Sequence, residues 1–355
     1  MKRSTFLFSI ASLLFFGQGC LGPAKGPAGP DLGVYKTLDG GQTWTHKRTL
    51  VSGPKITGAV ASMSILTMVF DPQDRSTIYL GTAENGIVFT RDGGDSWQRS
   101  KSLTTGRVNA VAVDAKNKCT VYAASGNKLY KTSTCGLDWS QIFFNPRTDV
   151  SFTRIAVDWY NPTILFAGSS DGDVFRSVDS GEHWQVAKRV DGIPITSIVI
   201  DPRDSRVIYA GTQSDWIWKS ADGGVTWAQI KKQFGDDLPD ARRIVQIVAD
   251  PVAANVVYSV SKYGILKSLD GGASWTPQKL TSPPSTMKIN ALAIDPKNNQ
   301  RLVFAGVATL QFSDDGGASW TPKKLPTTQT GSSLLIDPLE TNTIFLGTVP
   351  APQKK

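Results

Sequence analysis

Seven times along the chain a short apolar run ends in aspartate, usually followed by proline. The copies are MVFDP (68–72), VAVDA (111–115), IAVDW (155–159), IVIDP (198–202), IVADP (247–251), LAIDP (292–296) and LLIDP (334–338). In phase with them, about 20 residues downstream, recurs a polar turn of the form [S/T]-x-D-x-G-x-[S/T]-W. It reads TRDGGDSW (90–97), SVDSGEHW (177–184), SADGGVTW (220–227), SLDGGASW (268–275) and SDDGGASW (313–320), with TLDGGQTW (37–44) ahead of the first apolar run. A degenerate copy, TSTCGLDW (132–139), has Thr134 in the aspartate position. Between run and turn lie further strands such as TIYLGT (77–82) and GIVFT (86–90). Each unit is therefore strand, Asp turn, strand, loop, strand, Asp-containing turn, strand. That is a four-stranded antiparallel meander of 40-odd residues, the size of a propeller blade.

The two ends complete the count. The first unit begins halfway, at GVYKTLDGGQTW, and the last stops halfway, after LLIDP and TIFLGT. Two strands from each end pair into one blade and leave no open edge. The expected fold is all-β: a seven-bladed β-propeller of four-stranded antiparallel blades over residues 34–349, closed by its own termini, with a tail at 350–355.

The repeated aspartates Asp39, Asp92, Asp179, Asp222, Asp270 and Asp315 tempt a metal or catalytic reading. A repeated identical element is architecture, and the chemistry agrees. The carboxylate accepts local N–H groups, the glycines supply positive φ, the Ser/Thr hydroxyl adds a local bond and the tryptophan packs on the neighbouring strand layer. The turns lack the dense carboxylate spacing of a calcium loop, so no metal and no cofactor is expected.

Before the repeats, Lys2 and Arg3 precede an apolar run from Phe6 to Phe16 and then GQGC (17–20), the layout of an export signal over residues 1–19. The cysteine after small residues resembles a bacterial lipobox, which implies lipid attachment at Cys20; ordinary cleavage after Gly19 fits the same residues, and Gly17 stands where a lipobox usually carries an aliphatic side chain. Residues 20–33, rich in glycine and proline, read as a tether. The expected location is the periplasmic or extracellular face of a bacterial membrane. Loss of residues 1–19 leaves 36 basic against 30 acidic residues, a net charge of +6. That suits an anionic membrane surface, with no basic run dense enough for nucleic acid. Three cysteines and two histidines leave little for a zinc site or a His-dependent nucleophile. With Cys20 assigned to lipid, Cys119 and Cys135 remain, at the ends of two strands around a Ser-Gly-Asn turn, and are expected to form a disulfide in an oxidising compartment. They flank the copy that lacks its aspartate.

The turns identify the chain as resembling the BNR/Asp-box repeat β-propellers over essentially all of its mature length. As a single exported seven-bladed unit it most resembles the photosystem II assembly and stability factors and their bacterial homologues. Sortilin-type receptors, sialidases and xyloglucan-cleaving glycosidases are more distant. The resemblance places the Asp turns on the face opposite the usual ligand face.

The functional residues are then sought where blade connections and second-to-third strand loops emerge. Seven positions before the aspartate of each inner strand stand Ser64, Arg107, Ser151, Pro194, Arg243, Lys288 and Thr330. With Arg154 and Arg242 these predict a basic rim (Arg107, Arg154, Arg242, Arg243, Lys288) at the mouth of the central channel, suited to carboxylate-rich protein segments or anionic headgroups. The bland alternative is cations solvating strand ends. Trp216, aligned with Gly33, Gly86 and Gly264, is a candidate contact or a covering residue, and Tyr263 is a weaker one. Trp218 is expected in the core and Trp159 over the Asp-Pro face. The long connection between Trp44 and Asp71 is expected to loop over the ligand face.

A sialidase-like site would need an Arg-Ile-Pro motif, and none occurs. A xyloglucanase-like cleft would need a second propeller. Glu84, Asp149, Asp171, Asp173 and Asp215 fall on the ligand face, but no spacing pairs them as glycosidase carboxylates. The expectation is a monomeric, non-catalytic, lipid-tethered propeller that binds another protein during assembly or stabilisation of a membrane complex. The alternative is a carbohydrate-binding or glycosidase-like surface protein.

Overall fold

A computed structural model describes residues 31–230 and 238–352; the expected signal segment, Cys20 and most of the tether lie outside them. Seven antiparallel sheets form a closed ring, each inner strand packing on the next and the last on the first. From axis outward, blade 1 carries strands Ile65–Asp71, Asp74–Thr82, Ile87–Thr90 and Trp97–Arg99. Blade 2 carries Val108–Val113, Val121–Ser125, Lys128–Thr132 and Ser140–Phe144. Blade 3 has Phe152–Val157, Leu165–Ser169, Asp173–Ser177 and Gln185–Arg189, and blade 4 has Ile195–Ile200, Ile208–Thr212, Ile217–Ser220 and Ala228–Gln229. Blade 5 has Ile244–Ala249, Val257–Ser261, Ile265–Ser268 and Thr276–Pro277, and blade 6 has Ile289–Ile294, Leu302–Gly306, Thr309–Ser313 and Thr321–Lys324. In blade 7, Thr330–Ile336 and Ile344–Val349 pair with Gly33–Thr37 and Thr45–Lys47, in register Tyr35 opposite Leu346. The ring thus closes by its two ends, as the half-units predict.

One expectation is corrected. The connection after Trp44 is for the most part no loop over the ligand face; only its end, with the 3-10 turn Val60–Ser62 against Gly33, lies there. It forms a hairpin, Thr49–Ser52 with Lys55–Ala59, that adds to the outer strand of blade 1 and makes that sheet six-stranded. Leu50 is buried opposite Trp97, so the apolar residues of the segment are spent extending a sheet edge.

The core is distributed over the interfaces between blades. One cluster joins Phe345 of blade 7 to Met68, Phe70 and Ile78 of blade 1, and another joins Tyr258 and Val260 of blade 5 to Ile289 and Leu292 of blade 6. At roughly 1.5–3 kcal/mol per fully buried aliphatic or aromatic side chain, these seams dominate the stability of the ring.

The Asp-box face is held by three layers of contact. Within each turn the aspartate is a local acceptor: Asp222 Oδ1 takes the Ser220 hydroxyl at 2.8 Å and the Thr226 N–H at 2.9 Å, and Oδ2 takes the Thr226 hydroxyl at 2.6 Å. Those bonds hold the Asp222, Asp270 and Asp315 carboxyls down at about 2, the Ser/Thr four residues on being the largest cause. Asp39 and Asp179 are lowered in the same way. In the degenerate copy, Thr134 Oγ1 accepts the Asp138 N–H at 2.9 Å and so replaces the carboxylate.

The next residue of each turn docks on the Asp-Pro turn of its own blade. The N–H of Gly40, Gly93, Cys135, Ser180, Gly223, Gly271 and Gly316 donates to the carbonyl of Asn342, Ser76, Cys119, Thr163, Arg206, Asn255 and Gln300, respectively. All seven have left-handed backbone, including the two that are not glycine, Cys135 and Ser180. In blade 2 this same contact is covalent: Cys119 and Cys135 form a disulfide.

Between blades, a cation reaches the carbonyl of that same left-handed residue in the next blade. The donors are Lys36 to Gly93, Arg91 to Cys135, Lys131 to Ser180, Arg176 to Gly223, Lys219 to Gly271, Lys267 to Gly316 and Lys323 to Gly40. Five of the seven come from the third strand. In blades 1 and 6 that position is Phe89 or Phe312, and the substitute cations Arg91 and Lys323 lie over those rings.

Candidate functional site

The opposite face is built from the second-to-third strand loops and the connections between blades, and the two sets touch. Gly86 donates to the Gly106 carbonyl, Val190 to Gly172, Lys262 to Arg243 and Trp216 to Arg242. The central channel opens here.

Every inner strand bears a β-bulge five residues before its aspartate, at Leu66, Asn109, Thr153, Thr196, Val245, Asn290 and Ser332. A bulge re-aims side chains, and here it turns polar ones toward the next blade. Asn109 donates to the Phe152 carbonyl at 2.7 Å, Thr153 to Ile195 at 2.6 Å, Asn290 to Gly331 at 2.9 Å and Ser332 to Ile65 at 2.6 Å. One residue on, Gln246 exchanges two bonds with the Leu292 backbone, and Ser197 accepts from the Ile247 N–H. Six of the seven seams are stitched at the axis in this way. Sequence reading missed it, although polar residues inside otherwise apolar strands are its signal.

The predicted rim separates into two groups. Arg107, Arg242, Arg243 and Lys288 are exposed at the starts of their inner strands. Arg107 donates to Asn109 Oδ1 at 2.7 Å, and Arg242 and Arg243 end a 3-10 turn, Pro239–Arg242. Lys262, which sequence reading passed over, joins them from the blade 5 loop and pairs with Asp240 at 3.0 Å. Arg154 is elsewhere: it lies within the channel, among the residues that line its lumen. Trp216 takes the covering alternative. It is 9% exposed and packs with Ile217, Ile230, Ala241 and Ile244 under the blade 4–5 connection. Its φ of 64° is left-handed, matching Gly86 at 63° and Gly33 at 98°. A Cβ on Gly33 would meet the Val60 carbonyl at 2.6 Å, whereas Trp216 lies against Ala241 and Ile244. Tyr263 is half-buried against the same cluster. Trp218, partly buried, lies under the Lys188 ammonium, 3.6 Å from the ring, and Trp159 donates to the Asp201 carbonyl across the Asp-Pro face.

The carboxylates of this face are mostly engaged. Asp173 forms a two-bond pair with Arg189 at 2.7 and 2.8 Å, and Arg147 bridges Asp149 at 3.0 Å and Asp171 at 3.1 Å. The Arg147 hydrogen bond draws the Asp149 carboxyl below its usual range. With Phe143, Phe175 and Val186, the side chains of Arg147, Asp171, Asp173 and Arg189 line a pocket of about 530 Å³ between blades 2 and 3. Asp215 accepts the Trp218 indole N–H at 3.3 Å, and Glu84 is exposed. On the other face, Asp179, Glu182 and His183 lie close enough for one cation, but Asp179 is already occupied by Ser177 and by the His183 N–H and ring.

Comparison with known proteins gives the propeller its relatives. Residues 216–333 match the Sortilin-Vps10 family model, described as sortilin, neurotensin receptor 3. The oligoxyloglucan-reducing end-specific xyloglucanase of Emericella nidulans is 26% identical over 204 residues, 44% of this chain and 24% of that protein. Xyloglucanase Xgh74A of Acetivibrio thermocellus is 26% identical over 186 residues, 43% and 22%. The match thus spans about a quarter of the length of these curated relatives. Among solved structures, a GH74 xyloglucanase from Xanthomonas campestris superposes with a TM-score of 0.63 at 19% identity, over 80% of this chain and 51% of its own. The structure titled YCF48 bound to D1 peptide gives 0.62 at 18%, over 82% and 94%. YCF48 from Cyanidioschyzon merolae gives 0.61 at 14%, over 80% and 95%. These likenesses establish the fold and the resemblance to Asp-box propellers.

Proposed function

We propose that this chain is a non-catalytic protein-binding propeller, exported and tethered to a membrane through Cys20, that serves as an assembly or stability factor for a membrane complex. The observation that carries the reading is the division of its cations. On the Asp-box face they are consumed in clasps between blades, whereas Arg107, Arg242, Arg243 and Lys288 stand exposed around the channel mouth with no such role. Exposed guanidinium and ammonium groups that no carboxylate neutralises grip carboxylate-bearing protein segments. The fold match that covers 82% of this chain and 94% of the other supports this, since that propeller was captured with a peptide. The tether fits too: Asp31 is fixed on the loop face by Thr327, Thr328 and Gln329, so a lipid on Cys20 would bring that face toward the bilayer.

The carbohydrate-binding alternative is favoured by the xyloglucanase relatives and by the Phe143–Phe175 pocket. Against catalysis there, Asp171 and Asp173 are held by arginines, whereas a glycosidase needs one carboxyl protonated and one free.

The test is crosslinking of the tethered protein in its own membranes with mass spectrometry of the captured material, alongside an Arg107→Glu, Arg243→Glu control. A defined membrane-protein partner lost in the control supports the reading. Capture of glycan indifferent to the control moves it to the alternative. Palmitate labelling abolished by Cys20→Ser checks the anchor.

A further inference from the structure

The channel lumen is a cavity of about 250 Å³ lined by all seven inner strands. At roughly 30 Å³ per water it has room for several waters or for a small polyatomic ion with some of them. Most of its polar side chains are committed to the neighbouring blade: Asn109, Asn290, Ser332, Gln246 and Ser197 all bond across a seam. Arg154 is different. It is the single ionisable side chain among the described residues lining the lumen. One of its N–H groups donates to the Thr153 carbonyl at 2.7 Å, and no carboxylate of the described residues pairs with it. A guanidinium carries five donors in a rigid fork, so most of them remain available to another acceptor.

A cation partly withdrawn from water without a counter-charge is costly, and desolvation pushes the Arg154 guanidinium down to about 10. At neutral pH it keeps its charge even so. Among the described residues no carboxylate lines the lumen, and blade 3 alone places a cation here: the equivalent positions are Thr67, Ala110, Ser197, Gln246, Ala291 and Ser333. A side chain needed only to fill space would follow those small or neutral residues.

We propose that the central channel is a binding site for one small oxyanion, of the size of phosphate or acetate, held by the Arg154 guanidinium at the axis of the ring. Such an ion would neutralise the partly buried charge and be coordinated by the fork of donors. It would bind the folded ring and not the unfolded chain, so it would raise thermal stability with the logarithm of its concentration once that exceeds the dissociation constant. The site is separate from the exposed rim and needs no protein partner.

The experiment uses the whole propeller with inorganic phosphate, sulfate or acetate against chloride at equal ionic strength. Thermal midpoint and the phosphorus NMR line width of phosphate are both followed. The wild type is expected to show a midpoint that climbs with the logarithm of anion concentration, and a broadened line. Arg154→Met abolishes both, with at least a roughly tenfold loss of phosphate affinity, and in chloride it melts no lower than the wild type because it removes an unpaired, partly buried charge. Arg154→Lys keeps a weaker response, and Arg107→Gln with Arg243→Gln leaves it intact. A rise with acetate alone assigns a carboxylate, and one with phosphate or sulfate a tetrahedral ion. Equal midpoints for the wild type in every anion, a response that survives Arg154→Met, or one lost with the rim pair overturns the proposal. If Arg154→Met does not fold, the wild type and Arg154→Lys alone decide it: an absent wild-type response, or one that lysine leaves undiminished, is fatal.

Discussion

The Lys323 ammonium of blade 6 donates to the carbonyl of Gly40 in blade 7, 283 residues away in sequence, at 3.1 Å. The contact repeats six times around the ring with other partners, but this copy spans the point where the chain ends meet. It ties the N-terminal half-blade to a blade from the far end of the sequence.

Lys323→Met keeps the aliphatic packing over Phe312 and removes the charged donor. It is expected to lower unfolding free energy by about 1–2 kcal/mol in urea titration. Arg243→Met, at the exposed rim, is expected to shift the same titration by less than about 0.5 kcal/mol. Equal losses would erase the distinction between clasp and rim cations.

The Cys119–Cys135 bond closes a 16-residue separation. A loop of that length corresponds to about 3 kcal/mol in the chain-entropy account. Reduction, or the double Cys119→Ser, Cys135→Ser change, is expected to lower the thermal midpoint by several degrees. The Thr134→Asp change that restores a full box should recover part of it, read by calorimetry with and without reductant.

Asp222, Asp270 and Asp315 titrate near 2 in the folded ring, below the ordinary 3.8. A depressed carboxyl contributes stability that is complete above its unfolded pKa and lost as pH falls through the folded one. Acid destabilisation should therefore concentrate between pH about 4 and about 2. Urea midpoints across that range should fall less steeply for Asp222→Asn than for the wild type.

Trp216 is buried with φ of 64°, a conformation that a bulky residue adopts only at a cost. Ala at this site keeps the left-handed backbone and loses the packing, a change of about 3–5 kcal/mol. Gly loses the packing but regains roughly 1–2 kcal/mol of backbone freedom from strain. Trp216→Gly is thus expected to be the more stable of the two variants in urea titration, the reverse of the usual order.

The repeat itself was legible because each blade must form the same two Asp turns. Asp222 and its equivalents act on residues no more than four positions away, and that range is visible in a linear string. The half-units at the two ends likewise dictated closure, since an unpaired pair of strands at each end has one complement, the other pair. The disulfide was legible for the same reason, as both cysteines sit at the ends of one hairpin.

What needed the tertiary structure was every property that depends on a neighbour in another blade. Arg154 and Arg243 stand four and seven positions before the aspartates of their inner strands and read as one rim in the sequence, yet the folded ring puts the first in the lumen and leaves the second exposed. Trp216 aligns with glycines, and only its packing against Ile230, Ala241 and Ile244 shows that its indole is a cover rather than a free contact. Leu50 reads as loop and is a sheet edge, because its partner Trp97 is 47 residues on. Local hydrogen bonds and period-two burial are written into adjacent residues; the side on which a charge ends up is fixed only when seven such units close around an axis.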